Sequence, residues 1–258
     1  MALLCDFRVL GSWLYRSYGF CVEKFAPRYN HCLRMEISRI ADLLRPFLGG
    51  KELPGQQLNS ISMYIDLLLR WNARINLTSI RQPEAIVTRH FGESLFAARH
   101  LFPAPEADAS LLDLGSGAGF PAMPTKLWAP EIRVTLIESN HKKVAFLRQL
   151  TRSLGLSGIG VFADRVAAYA GPLGDVVTLR AIEHFSSALP VAARLVTPGG
   201  RLALFIGEEQ VSVAAQALPS VSWPAPIPLP LSERRVLLIG NLKLQESATL
   251  TVEQGKRE

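Results

Sequence analysis

From Met35 onward the apolar positions fall into helical spacing. Ile40, Leu43, Leu44 and Phe47 recur at i, i+3, i+4 and i+7, and Gly49-Gly50 ends the run. A second helix is predicted from about Pro54 to Trp71, with Leu58, Ile61, Ile65 and Leu68 as its stripe. A polar loop, Asn72 to Arg81, precedes a third helix with Pro83 in its first turn and Val87, Phe91 and Leu95 on one face. The Pro- and Ala-rich stretch from Phe102 to Ser110 reads as a linker. Beyond it the period changes. Short unbroken apolar runs at Leu111–Leu114, Val134–Ile137, Ile159–Phe162, Val176–Leu179 and Leu202–Ile206 read as strands. A helix marked by Val144, Leu147, Leu150 and Leu154 falls among them. Continuous apolar strands separated by helices predict a parallel sheet covered on both faces. Thr197-Pro198-Gly199-Gly200 predicts a turn into the last of these strands, and Val236–Ile239 one arm of an antiparallel edge hairpin. The fold class is therefore α/β, a mostly parallel sheet with an antiparallel edge strand (109–245) behind an N-terminal helical cap (35–108), flanked by 1–34 and a tail, 246–258.

Composition narrows the field. Of 258 residues 48% are hydrophobic and 19% charged, enough apolar material for a buried core. The longest uncharged stretch, Gln210 to Leu231, holds five prolines and cannot be a membrane helix. Arg8 and Arg16 bracket an apolar run too short for a signal peptide, and no small-residue cleavage site follows. Cys5, Cys21 and Cys32 form neither a disulfide framework nor a metal-ligand spacing. A cytoplasmic protein without membrane or metal is expected, and a cysteine-dependent enzyme is a poor reading. Half of the net charge of +6 sits in residues 1–34. A disordered basic tail, translation that really starts at Met35 and an RNA-binding arm all remain open for that segment.

The strongest local signal is Asp113-Leu114-Gly115-Ser116-Gly117-Ala118-Gly119-Phe120-Pro121, placed between a strand and a helix whose first position is proline. Glycines let a backbone turn sharply and approach a ligand closely. The spacing is G-x-G-x-G, whereas dinucleotide folds use G-x-G-x-x-G to seat a pyrophosphate. Asp113 would repel phosphates and suits a cationic amine, such as that of the methionine part of S-adenosylmethionine. Glu138 ends the next strand, where a carboxylate accepts both ribose hydroxyls of a nucleoside. Phe120 is core or pocket lining. Arg165, Val166 and Ala167 follow the third strand, either as an exposed turn or at the rim where an adenine ring would lie. Arg180 closes the fourth strand, at the edge where ligands bind in open α/β sheets.

Taken in order, several blocks resemble the bacterial small-subunit ribosomal RNA methyltransferase G family, also called glucose-inhibited division protein B. They are Leu69-Arg70-Trp71-Asn72, Asn76-Leu77-Thr78-Ser79, Arg89-His90, Asp113 to Pro121 and Leu136-Ile137-Glu138-Ser139 with Lys142-Lys143. Phe146-Leu147-Arg148-Gln149, Arg165-Val166, Arg180-Ala181 and Pro198-Gly199-Gly200 complete the series. The resemblance spans roughly 35–245. It implies a Rossmann-like S-adenosylmethionine-dependent methyltransferase fold, and transfer of methyl to N7 of a guanosine in the decoding-region loop of 16S rRNA. The cofactor site it implies comprises Asp113, Gly115, Gly117, Gly119, Phe120, Glu138, Val166, Ala167 and Arg180. Three positions depart from the family pattern. Ala167 replaces a common acid, Ile206 a usual lysine and Ala122 a frequent glycine.

The residue inventory bears on the reaction independently. Pyrimidine-carbon methylation needs a cysteine nucleophile, and none lies in the catalytic region. Exocyclic-amine methylation uses an Asn/Asp-Pro-Pro-aromatic loop after the fourth strand, where this chain reads Arg180-Ala181-Ile182-Glu183. Guanine N7 offers a lone pair and loses no proton, so positioning dominates and no catalytic residue is assigned. Asn76, His90, Arg165, Arg234 and Arg235 are the RNA candidates. The expected partner is 16S rRNA in the small ribosomal subunit, met by a monomer largely through shape. Another methyltransferase on the same scaffold, or a non-catalytic RNA-binding assembly factor, are the alternatives.

Overall fold

The structure is a computed structural model and describes residues 35–104, 108–181 and 184–243. Residues 1–34, the tail 246–258, part of the linker and Ile182-Glu183 lie outside the described residues.

The first helix, α1 (Ile37–Leu44), tightens into a 3-10 turn at Arg45–Phe47, where Pro46 interrupts the ladder. α2 (Gly55–Asn72) follows. α3 (Pro83–Ile86) opens with proline at its first position and passes through a π-helical turn, Val87–Gly92, into α4 (Glu93–Leu101). Gly92 is required within that turn, because a Cβ there would lie 2.6 Å from the Phe47 ring.

β1 (Ser110–Leu114), β2 (Arg133–Ile137), β3 (Ile159–Phe162), β4 (Gly174–Arg180) and β5 (Val196–Gly207) run parallel. α5 (Ala122–Trp128), α6 (His141–Ser153), α7 (Phe185–Ala193) and α8 (Val211–Ala217) connect or follow them. β7 (Arg235–Asn241) pairs antiparallel with β5 on one side and with the two-residue β6 (Ile227–Pro228) on the other. The sheet order is β3-β2-β1-β4-β5-β7-β6. The strand order reverses between β1 and β4, so a crevice opens at their carboxyl ends. Leu114 and Arg180 stand there.

Alternate strand residues serve two cores. Leu111, Val134, Leu136, Val176 and Ala203 face one cluster, and Leu112, Leu114, Val177, Leu179 and Leu204 face the other. The first cluster also contains Ile40, Phe47, Ile61, Leu68, Phe91 and Leu95 from α1, α2, α4 and the turns beside them. The helices of the cap thus bury their stripes on the sheet face that α5 and α6 also cover.

Several local expectations change. The Thr197–Gly200 turn is a bulge inside β5: Gly174 pairs with Val196, Val176 with Arg201, and Gly199 has φ +78°. Pro121 precedes α5 instead of opening it. Pro190 lies inside α7, which breaks the helical pattern there and hides the element from the sequence. Among the described residues no helix is long and apolar enough to cross a membrane.

Candidate functional site

The glycine loop leaves the end of β1 with φ of +68°, +55° and +89° at Gly115, Gly117 and Gly119. An L side chain resists these conformations. At Gly119 there is also no room: a Cβ would sit 2.7 Å from the Tyr64 hydroxyl and 2.9 Å from Met123 Cγ. Two elements hold the loop in place. From β2, the Ile137 carbonyl accepts from Gly115 N–H and Ser116 N–H. From α2, the buried Tyr64 hydroxyl donates to the Ala118 carbonyl.

Glu138 closes β2 and is buried. Its Oε2 accepts from Gly117 N–H at 2.9 Å and its Oε1 from Asn140 N–H at 2.8 Å. Each oxygen keeps a further lone pair. The carboxylate therefore clamps the loop with part of the capacity that would also receive ribose hydroxyls.

Asp113 lies beneath the loop, 1% exposed. Its Oδ1 accepts from Thr178 Oγ1 at 2.7 Å, while Oδ2 is buried without a hydrogen-bond partner. Burial pushes its carboxyl up to about 6, against the pull of Thr178, Ser116 and Arg180. An orphaned buried carboxylate oxygen is costly unless a donor arrives. A cationic amine is such a donor, and the residues present fit one.

The facing wall comes from the cap. His90 stacks on Phe120, centroids 4.6 Å apart and planes at 18°, and Tyr64 stacks on Phe120 at 5.1 Å and 5°. Phe120 is thus at once buried in the core and part of the lining. His90 Nε2 lies 2.8 Å from Thr78 Oγ1, and its Nδ1 lies 3.3 Å from an Arg180 nitrogen. Burial, with Arg180, Arg89 and Arg235 nearby, lowers its pKa to about 3, so the imidazole is neutral at physiological pH. Glu93, 3% exposed at its side chain, receives Arg180 at 3.0 Å and Arg235 on its other oxygen. Burial holds its carboxyl above the usual carboxylate range, against the opposing pull of the Arg180, Arg235 and Arg89 guanidiniums. Arg180 also donates to the Arg89 carbonyl and lies over the Phe205 ring at 5.5 Å.

These groups border a cleft of about 460 Å³. Gly115, Gly117, Phe120, His90, Arg180 and Arg235 line it, six of the residues singled out from sequence. Asp113, Gly119 and Glu138 lie beneath or behind the loop and do not line it. Val166 is half-buried in a 3-10 turn against the second core, and Ala167 is exposed beside it. Arg165 and Arg234 are exposed and off the cleft, and Asn76 lines a different groove. Glu93, Thr78 and Ile206 line the cleft without having been singled out as site residues. Glu93 carries no signal in the sequence pattern, since on a regular helix it falls on the face away from Val87, Phe91 and Leu95. Among the described residues no cluster of His, Cys, Asp or Glu is arranged to hold a metal ion.

Likenesses to solved structures fix the fold and leave the chemistry open. A methyltransferase from Pyrococcus furiosus superposes with a TM-score of 0.51 at 18% identity, over 72% of this chain and 99% of that one. The [4+2]-cyclase SpnF superposes with a TM-score of 0.52 at 13% identity, over 74% and 97%. One architecture hosts both a methyltransferase and a cyclase, so fold alone names no reaction. Sequence is more specific. The ribosomal RNA small subunit methyltransferase G of Chloroflexus aggregans is 37% identical over 202 residues, covering 74% of this chain and 84% of the relative. That of Syntrophotalea carbinolica is 33% identical over 78% of this chain and 96% of its own length. The family model for rRNA small subunit methyltransferase G matches residues 57–220, from α2 of the cap through the glycine loop and the cleft to the end of α8, and the chain belongs to that family.

Proposed function

We propose that this protein is a 16S rRNA methyltransferase that moves a methyl group from S-adenosylmethionine to N7 of a guanine in the small ribosomal subunit. One observation carries the chemistry. Among the described residues, the imidazole and the carboxylate that line the cleft are already engaged: His90 is neutral between Thr78 and Arg180, and Glu93 is held by two guanidiniums. Neither is free to take a proton, and an acceptor with an in-plane lone pair and no proton to lose requires no base.

S-adenosylmethionine, when bound, supplies an electrophilic methyl group on a sulfonium. The chain's residues do the rest. Asp113 Oδ2 receives the cationic amine, which relieves its missing hydrogen bond. The loop backbone from Gly115 to Gly119 approaches the amino-acid part closely because no Cβ intervenes. Glu138 offers its remaining lone pairs to the ribose hydroxyls, and Val166 with Ala167 form the rim for the adenine. Phe120 and His90 give a flat wall, and Arg180 with Arg235, both held by Glu93, place positive charge in the cleft lining for the RNA backbone. Positioning of the base supplies most of the rate.

The test is methyl transfer to rRNA from a strain lacking the modification. The expected product is a cationic purine whose imidazole ring opens in alkali, so mild base and aniline cut the chain at one position. The single-turnover rate should be flat across neutral pH. Methyl found on N2, on carbon or on a ribose would overturn the assignment. So would a fall in rate below neutrality that one Asp, Glu or His substitution abolishes.

A further inference from the structure

A second groove, about 320 Å³, lies beside the cleft and is lined by Arg74, Ile75, Asn76, Asn140, Lys142 and Lys143. Lys143 lines both. The groove holds three cations and no acid. The nearest carboxylate along the chain, Glu138, does not line it, and each of its oxygens is engaged by one backbone N–H group. Among the described residues, the side-chain nitrogens of Arg74, Lys142 and Lys143 have no hydrogen-bond or ion-pair partner. The polar donors are oriented as well. Asn140 uses its Oδ1 to accept from Lys142 N–H and Lys143 N–H at the start of α6, which leaves its amide N–H groups to the groove.

The groove is preformed. Asn72 accepts from Leu77 N–H and Thr78 N–H and donates to the Thr78 carbonyl, fixing the loop that carries Ile75 and Asn76. Trp71 Nε1 donates to Gln149 Oε1 at 3.0 Å, tying the end of α2 to α6 across the groove's two walls. The same loop lines the cleft with its next residues, Leu77 to Ile80. Consecutive residues of one loop thus line first the groove and then the cleft.

We infer that this groove binds the backbone phosphates of single-stranded RNA next to the nucleotide held in the cleft, through Arg74, Lys142 and the amides of Asn76 and Asn140. This rests on the rRNA reading above. The cofactor carries no phosphate and does not compete for this chemistry. Unpaired cations with amide donors and no acid select a polyanion, and the shared Lys143 sets its path.

The experiment is filter binding of 16S rRNA to the full chain at 50–200 mM salt. Wild type is compared with the double variant Arg74→Ala/Lys142→Ala and with Arg152→Ala, an exposed cation in the last turn of α6 outside the groove. S-adenosylmethionine affinity, read by calorimetry, should be unchanged in both variants, which also shows that they are folded. The double variant should bind RNA about tenfold more weakly at 150 mM salt. Its slope of log K against log salt should be less negative by about 1.4, from roughly 0.7 for each single-strand phosphate that is no longer neutralised. A double variant that matches Arg152→Ala in affinity and slope overturns the groove. So does a wild type without salt-dependent rRNA binding. Wild type that binds rRNA but transfers no methyl to it sinks the enzymatic reading alone, and the slopes still decide the groove.

Discussion

Asp113 is placed where it harms the free protein, and Asp113→Asn should reveal by how much. Its carboxyl moves from an ordinary 3.8 to about 6 because it is buried with one oxygen unpartnered. A raised acid pKa means that the native state holds its proton where the unfolded chain has lost it. Unfolding free energy therefore falls as pH rises through that window. The whole shift corresponds to roughly 3 kcal/mol, of which about 2 kcal/mol lies between pH 4.5 and 7.5. Asparagine keeps an acceptor for Thr178 but cannot ionise, and any fixed cost of its extra N–H groups does not vary with pH. Urea denaturation of both proteins across this range should show the stability of Asp113→Asn minus wild type increasing by about 2 kcal/mol as pH rises. Saturating S-adenosylmethionine should shrink or reverse the increase, because its amine favours the ionised carboxylate. Affinity of the wild type for the cofactor should correspondingly weaken below pH 6. A stability difference that is flat with pH would refute the reasoning, since Asp113 would then titrate alike in the folded and unfolded chains.

Gly119→Ala should abolish cofactor binding by calorimetry while leaving most far-ultraviolet circular dichroism intact, because it forces a Cβ against Tyr64 at a φ of +89°. Retained affinity would show that the loop can relax. Glu138→Ala should cost about 1–3 kcal/mol of stability in the free protein in addition to cofactor affinity, since two backbone N–H groups lose their acceptor. An effect on cofactor affinity alone would mean that the clamp is idle. Glu93→Gln leaves Arg180 and Arg235 facing each other without an anion. It should destabilise by ~3 kcal/mol, the lower end for a broken buried pair because Arg235 is 29% exposed. A change below 1 kcal/mol in a denaturant titration would place Glu93 in solvent.

Much of the fold is legible because a parallel sheet buried on both faces writes itself as unbroken apolar runs. Leu111–Leu114, Val134–Ile137 and Val176–Leu179 lie within strands at those positions. The glycine loop is legible for a local reason too, since positive φ and close approach leave glycine as the residue of choice. α7 and β6 are not, one carrying an internal proline and the other only two residues long. Glu93 is illegible for a different reason. Its partners arrive from 87 and 142 residues away, on β4 and β7, and no periodicity encodes that meeting. His90 reads as a residue beside the Val87, Phe91, Leu95 stripe of a regular helix. The π turn adds a residue to the register and carries its ring over Phe120.

The aromatic stack explains why the cap belongs to the cleft itself. Phe120 comes from the loop after β1, and the rings on its two sides, Tyr64 and His90, both come from the cap. Tyr64 reaches further and holds the Ala118 carbonyl, so the loop's left-handed glycines are pinned by a helix that sits more than fifty residues earlier in the chain. Left-handed glycines carry no steric strain but are conformationally free, so the loop keeps one shape only where its surroundings restrain it. Glu138 supplies the restraint from β2 and Tyr64 the restraint from α2, and neither substitutes for the other, because they bind different peptide groups of the loop. Arg180 repeats the arrangement at the end of β4, where it bonds the Arg89 carbonyl, His90 and Glu93 across the crevice. Both strands that flank the switch point are thus fastened to helices of the cap. The crevice that an open α/β sheet offers at that point acquires here a fixed second wall, made of residues that precede the sheet in sequence.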